Sequence, residues 1–250
     1  RLERWVLGGL DDVHQTGLRD PEEDYLALLP VLGCFLLVLA VPDPVLWRLT
    51  YADRDLPAAE KQRLMAAYRR FVQRHLYFHG EHRTFLSKNP SFTPFMATLA
   101  DAFPDARFIG CLRNPTAAVP SQINSIVIGG KLFDGRDTAD YWREGFLAML
   151  DYYYRHLLEQ LDGLPEGRGA LSVMETLAAA PGESVSGFYQ AFGWTPSPAY
   201  RAFLEGEDRR AAAYRSGHRY SLENLGVDLR RLEETFGWVY HRFGYPLPTG

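Results

Sequence analysis

Apolar residues recur every three or four positions between residues 60 and 78, where Leu64, Ala67, Tyr68, Phe71, Val72 and Leu76 share one face of a predicted helix. A longer stretch, 138–161, carries Tyr141, Trp142, Met149, Leu150, Tyr153 and Leu157 at the same kind of spacing. Shorter patterns predict helices over 94–103, 115–128, 181–192 and 229–243. Pro115 suits a first helical position and Gly193 a helix C-cap. Pro120 is expected to bend its helix, because proline removes a backbone donor. The other signal is a short apolar run bounded by turn residues. It occurs at 84–87, 108–112 and 170–174, and each run reads as a strand. Residues 20–50 read as helix and loop, and 129–135 and 163–169 as loops. Strands that alternate with helices predict a mostly parallel sheet with helices on both faces, an α/β fold. No internal repeat or long linker interrupts the pattern, so 1–250 reads as a single domain.

Of the 250 residues, 46% are hydrophobic, which is enough for a substantial core and too many for a disordered chain. The net charge of −4 excludes a general nucleic-acid binder, which needs a basic surface, and leaves room for a local basic pocket. Cys34 and Cys111 lie far apart in apolar runs without zinc spacing, so both read as buried small hydrophobes and imply no oxidising compartment. The most apolar stretch, 26–41, contains Pro30 and Gly33 and falls short of the roughly 20 residues a spanning helix needs. The N-terminus lacks the basic-then-apolar order of a secretory signal. A cytoplasmic protein is expected, with peripheral membrane contact of the 26–41 stretch as the lesser alternative. The first residue is Arg1 rather than methionine, which fits a chain that begins inside a longer protein.

The stretch 103–121 carries the clearest chemistry. Its apolar run ends in Arg113, Pro115 opens a helix, and Ser121 falls on that helix's second turn. An arginine at a strand's carboxyl end, a helix N-terminus and a hydroxyl together suit a phosphate. The plainer alternatives are a strand-end salt bridge for Arg113 and a helix-surface serine for Ser121. His75, His79 and His82 have metal-like spacing but lack a His-Glu-x-x-His pattern, and read as a basic, aromatic helix end. No Gly-x-Gly-x-x-Gly, Walker loop or Gly-x-Ser-x-Gly elbow occurs.

The Arg113–Ser121 spacing resembles the 3′-phosphate-binding segment of sulfotransferases that use PAPS (3′-phosphoadenosine 5′-phosphosulfate), in which a serine follows the arginine by eight residues. Upstream, Phe85-Leu86-Ser87-Lys88-Asn89-Pro90 is similar to that family's strand ending in Lys-x-Pro. Downstream, Tyr214-Arg215-Ser216-Gly217-His218-Arg219-Tyr220-Ser221-Leu222-Glu223 resembles a late loop of the bacterial-type enzymes. A looser match, Asp12-x-His14-x-x-Gly17 followed by Pro21-Glu22-Glu23-Asp24, extends the likeness toward the N-terminus. The resemblance implies a P-loop-NTPase-like parallel sheet flanked by helices, PAPS as co-substrate, no metal, and sulfuryl transfer to a hydroxyl or amine. It implies Arg113, Ser121, Arg215 and Ser216 as nucleotide-binding residues. Lys88, expected at a strand's carboxyl end where ligands of parallel sheets collect, is the catalytic candidate that neutralises the sulfonate or orients the acceptor. His14 is a candidate acceptor-side base, since histidine titrates near neutral pH, with Asp11 and Asp12 placed to orient it. Glu22, Glu23 and Asp24 read as a charge cluster at a helix N-terminus.

Two departures qualify the resemblance. The family's Gly/Ser/Thr/Arg-rich loop for the 5′-phosphosulfate has no counterpart, the nearest glycine pair being Leu7-Gly8-Gly9-Leu10. The family's Tyr-Glu-Asp-Leu is replaced by Met174-Glu175-Thr176-Leu177. The expectation is therefore a sulfotransferase fold without its first strand, and a chain that is inactive by itself. The rival readings are a non-catalytic nucleotide-binding remnant of the same fold and a nucleoside-kinase-type protein. The missing Walker lysine counts against the second. The expected partner is a small-molecule, glycan or lipid acceptor, not nucleic acid, and neither the acceptor nor the oligomeric state is set by these residues.

Overall fold

A computed structural model describes residues 23–41, 43–134, 139–213 and 228–248. Two compact units emerge, one from Arg1–Ala102 with Ile123–Met149, the other from Phe103–Gln122 with Leu150–Gly250.

In the first unit a 3-10 turn, Asp24–Val31, leads to the short helices α1 (Leu36–Ala40) and α2 (Ala52–Asp55) and to the long α3 (Ala58–His79). The buried face of α3 presents Leu64, Met65 and Tyr68. Gly33 is required where its turn meets that face, because a Cβ there would stand 2.4 Å from a Leu64 methyl. The ring of Tyr68 meets Phe92 edge-on at 4.9 Å. A second 3-10 turn, Pro90–Phe95, runs into α4 (Met96–Ala102). Asp53 caps α4 from α2, its carboxylate accepting from the amides of Ala97 (2.8 Å) and Thr98 (3.1 Å).

Residues 84–87 do not form the expected strand. Their backbone has no ladder among the described residues, and each side chain is engaged elsewhere or in water. Phe85 packs edge-on against Phe71 and His75, Ser87 bonds Asp24, and Leu86 faces solvent. With one inward apolar residue, the run has no face to lay on a sheet.

The second unit holds β1 (Phe108–Leu112), the start of α5 (Pro115–Asp134), the end of α6 (Ala139–Gly163) and β2 (Gly169–Val173). The strands pair in parallel, Phe108 opposite Gly169 and Leu112 opposite Val173, joined by a helical crossover. Gly110 lets α6 lie close on β1, because a Cβ there would meet Leu161 at 2.6 Å and Leu157 at 3.1 Å. Cys111 is exposed, not buried as expected, because it alternates with the inward positions Gly110 and Leu112. Helix α5 continues through Gly129 and Gly130, where a loop was expected.

After β2 come α7 (Met174–Ala179), α8 (Pro181–Ala191) and α9 (Pro198–Ala213). The sequence pattern does not single out α9, whose only fully buried side chain is Leu204. It docks on α8 through Asp208, which accepts from the Gly182 amide at 2.6 Å. The last helix, α10 (Leu229–Phe243), starts at an Asp228 cap and stops at Gly244, φ +64°. It buries Leu232, Phe236, Val239 and Tyr240, the i, i+4, i+7, i+8 stripe of an amphipathic helix. No described helix is long and apolar enough to cross a membrane.

Candidate functional site

Arg113 follows the last residue of β1 and is exposed. Its side chain has no hydrogen-bond or ion-pair partner among the described residues. Its backbone, by contrast, is tightly held. The Tyr154 hydroxyl, from α6, donates to the Arg113 carbonyl at 2.6 Å. The next amide, Asn114, donates to Glu175 Oε1 at 3.0 Å, and Tyr245 donates to Glu175 Oε2 at 3.1 Å. Thr116 Oγ1 and the Tyr240 hydroxyl lie 2.8 Å apart. Contacts from α6, α7 and α10 thus converge on four residues of chain, and the segment after α10 braces the α7 carboxylate among them.

Burial is the main reason that the hydroxyls of Tyr154, Tyr240 and Tyr245 are all pushed upward, with the Glu175 charge adding to the effect at Tyr154 and Tyr245. All three stay protonated through the physiological range and remain available as donors.

The first amides of α5 are already committed. Asn114 Oδ1 accepts from Thr116, the Asn114 carbonyl accepts from Ala117 and Ala118, each at 2.9 Å, and Pro115 has no N–H. An anion at this point therefore meets the Arg113 guanidinium and the positive end of the helix dipole, not a row of open amides. Ser121 is half-buried on the second turn of α5, about 9 Å along the axis from Pro115. Arg113 and Ser121 belong to the same unit.

Lys88 belongs to the first unit and does not end a strand, so the expectation drawn from strand ends does not apply to it. It pairs with Glu23 while its side chain stays 75% exposed. The loop around it is anchored by Asp24, which accepts from the Ser87 hydroxyl and the Asn89 amide at 3.0 Å each and from the Tyr68 hydroxyl. Glu23 and Asp24 thus do more than charge a helix end. They hold the Lys88 loop from more than 60 residues upstream, and Asp24 also joins it to Tyr68 of α3, pairings that sequence spacing alone could not indicate. His14, Arg215 and Ser216 lie outside the described residues, as does His218. Among the described residues no three histidine, cysteine or acidic side chains are grouped to hold a metal.

Sequence reasoning also missed an open groove of about 750 Å³ along α10, lined by Arg230, Glu233, Tyr240, His241 and Tyr245 among others. Two of its tyrosines are the ones that bond Thr116 and Glu175. Its only sequence signal is the polar stripe Arg230, Glu233, Glu234, His241 on the face of α10 opposite the buried one.

Residues 42–198 match the profile of the sulfotransferase family. No curated protein matches the chain. The fold is similar to the crystal structure of sulfotransferase STF9 from Mycobacterium avium, with a TM-score of 0.73 at 17% identity, over 97% of this chain and 64% of that one. The chain thus spans less than two thirds of the length of that solved protein.

Proposed function

Because the chain belongs to the sulfotransferase family, we propose that it binds PAPS and that Arg113 is its principal contact with the 3′-phosphate. The observation that carries this reading is the exposed Arg113 guanidinium, without a partner among the described residues, on a backbone held by Tyr154 and, through the next amide, by Glu175. A guanidinium grips a phosphate through two parallel hydrogen bonds, and a fixed backbone lowers the entropy lost in doing so. Ser121 adds a hydroxyl donor to the same phosphate, and Arg215 and Ser216 are proposed as further nucleotide contacts.

In the transfer itself an acceptor hydroxyl or amine attacks sulfur. A new bond to sulfur forms, the bond from sulfur to the 5′-phosphate oxygen breaks, and adenosine 3′,5′-bisphosphate leaves. The acceptor's proton passes to a base, for which His14 is proposed. The reaction needs positioning and charge stabilisation more than covalent help from the protein. Lys88 is the candidate to offset charge on the sulfonate. Its pairing with Glu23 means that it would exchange one anion for another in doing so.

A second reading, nucleotide binding without transfer, is favoured by the Leu7-Gly8-Gly9-Leu10 segment, which lacks the Arg, Ser and Thr donors of a 5′-phosphosulfate loop. Calorimetric titration with adenosine 3′,5′-bisphosphate tests what both readings share. Arg113→Ala should weaken binding by roughly tenfold to a hundredfold, the worth of a charge-assisted hydrogen bond. Equal affinity in the variant, with unchanged melting, would remove Arg113 from the site. Turnover of PAPS by this chain with an added acceptor separates transfer from binding alone.

A further inference from the structure

We propose that the C-terminal end of α3 and the turn after it form a docking surface for an anionic lipid membrane, a contact that lies on the surface without crossing it. The three most exposed large apolar side chains among the described residues lie within ten positions of one another. Tyr77 is 82% exposed, Phe78 80% and Leu86 87%, against 67% for the next, Leu32. Scattered exposed apolar residues need no explanation, but a concentration of the most exposed ones at one helix end does.

The surrounding charge has one dominant sign. Arg70, Arg74, Tyr77 and Phe78 fall at i, i+4, i+7 and i+8, one stripe of α3. Arg83 follows in the turn, where its amide bonds the Gly80 carbonyl at 3.1 Å. The side chains of Arg70, Arg74 and Arg83 are exposed and have no hydrogen-bond or ion-pair partner among the described residues. Glu81 is the one acidic residue between Arg70 and Lys88, and Lys88 itself is paired with Glu23. The neighbouring histidines pack beside this stripe, His79 edge-on against Phe78 at 4.8 Å and His75 against Phe71, Phe85 and His79. That packing holds the turn against the helix, so the aromatic tip is presented by a fixed scaffold.

Each part of this arrangement suits a lipid interface. Arginines attract anionic headgroups, tyrosine favours the headgroup level, and Phe78 and Leu86 find in the acyl boundary the apolar medium that water denies them. A polyanionic glycan or nucleic acid would engage the arginines but leave both apolar side chains wet. The surface is a helix end and a turn, not a groove into which a folded partner would fit.

The test is flotation of the 250-residue chain with vesicles of phosphatidylcholine alone and of phosphatidylcholine with phosphatidylglycerol, at low and at physiological salt. Binding is expected to the anionic vesicles and to fall with salt. The double variant Tyr77→Ser/Phe78→Ser should weaken it at least about tenfold, and Arg74→Ser or Arg83→Ser by roughly fivefold each. All four positions are exposed, so melting temperatures should stay unchanged, which separates lost docking from lost folding. Failure to bind anionic vesicles overturns the proposal. So does binding that ignores the Tyr77/Phe78 substitution, and so does an arginine-dependent affinity for heparin in the absence of vesicle binding, which would mark a polyanion surface.

Discussion

Tyr154 donates to the Arg113 carbonyl from a side chain that burial keeps neutral, and Tyr245 does the same for Glu175, which in turn accepts from the Asn114 amide. The arginine is therefore free at its tip and constrained at its root. Tyr154→Phe removes one hydrogen bond and leaves a carbonyl unsatisfied, so it should cost about 1 kcal/mol of stability and weaken nucleotide binding several-fold, as urea denaturation and calorimetry would show. The pH dependence follows from the same hydroxyls and from Tyr68, whose value is raised by burial and by its bond to Asp24. Each folded-state value lies above the unfolded one. The stabilisation is therefore fully present below about pH 10 and is lost as pH rises through the higher folded values. Urea midpoints should be level from pH 8 to about 10 and fall beyond it, and a midpoint that rises above pH 10 would contradict this account. Arg113 was legible in the sequence because its partners, a strand end and a helix start, are adjacent in the chain. Tyr154, Glu175 and Tyr240 were not, because they reach Arg113, Asn114 and Thr116 from 41 to 124 residues away, and Tyr245 acts only through Glu175.

Among the elements, β1 and β2 were readable because an apolar run bounded by turns has few other uses, and α3 and α10 because their buried stripes are continuous. The run at 84–87 carried the same signal, but its residues are spent on α3 and Asp24 instead of a ladder. Helix α9 gave little signal because it is rich in alanine and charge and fully buries a single side chain, Leu204, although its contacts with α8 are close. Those contacts make opposite predictions for two glycines of α8. A Cβ on Gly182 would stand 2.2 Å from the Leu204 carbonyl oxygen and 2.6 Å from Asp208 Oδ2, whereas one on Gly187 meets nothing within 4 Å. Gly182→Ala should therefore destabilise by about 1–3 kcal/mol through forced separation of α8 and α9. Gly187→Ala should stabilise by about 0.5–1 kcal/mol, the usual gain in a helix interior. Guanidinium denaturation of the pair decides both, and matching signs would mean that the α8–α9 contact is mis-assigned.

For the whole molecule, the sulfotransferase family and its α/β fold were legible from three short motifs, and the match over 42–198 and the likeness to a solved sulfotransferase agree with them. The exposed helix end of α3 was legible only as a basic, aromatic stretch. Its meaning depends on which side chains the turn covers, and that is a tertiary fact. The central claim is that Arg113 reads the phosphate on the nucleotide's 3′ side. The most direct measurement is a four-way calorimetric comparison of adenosine 3′,5′-bisphosphate and adenosine 5′-monophosphate on the native chain and on Arg113→Ala. The account predicts that the native chain prefers the bisphosphate by roughly tenfold or more, and that the preference disappears in the variant while affinity for the monophosphate holds. A preference that survives the substitution would contradict it.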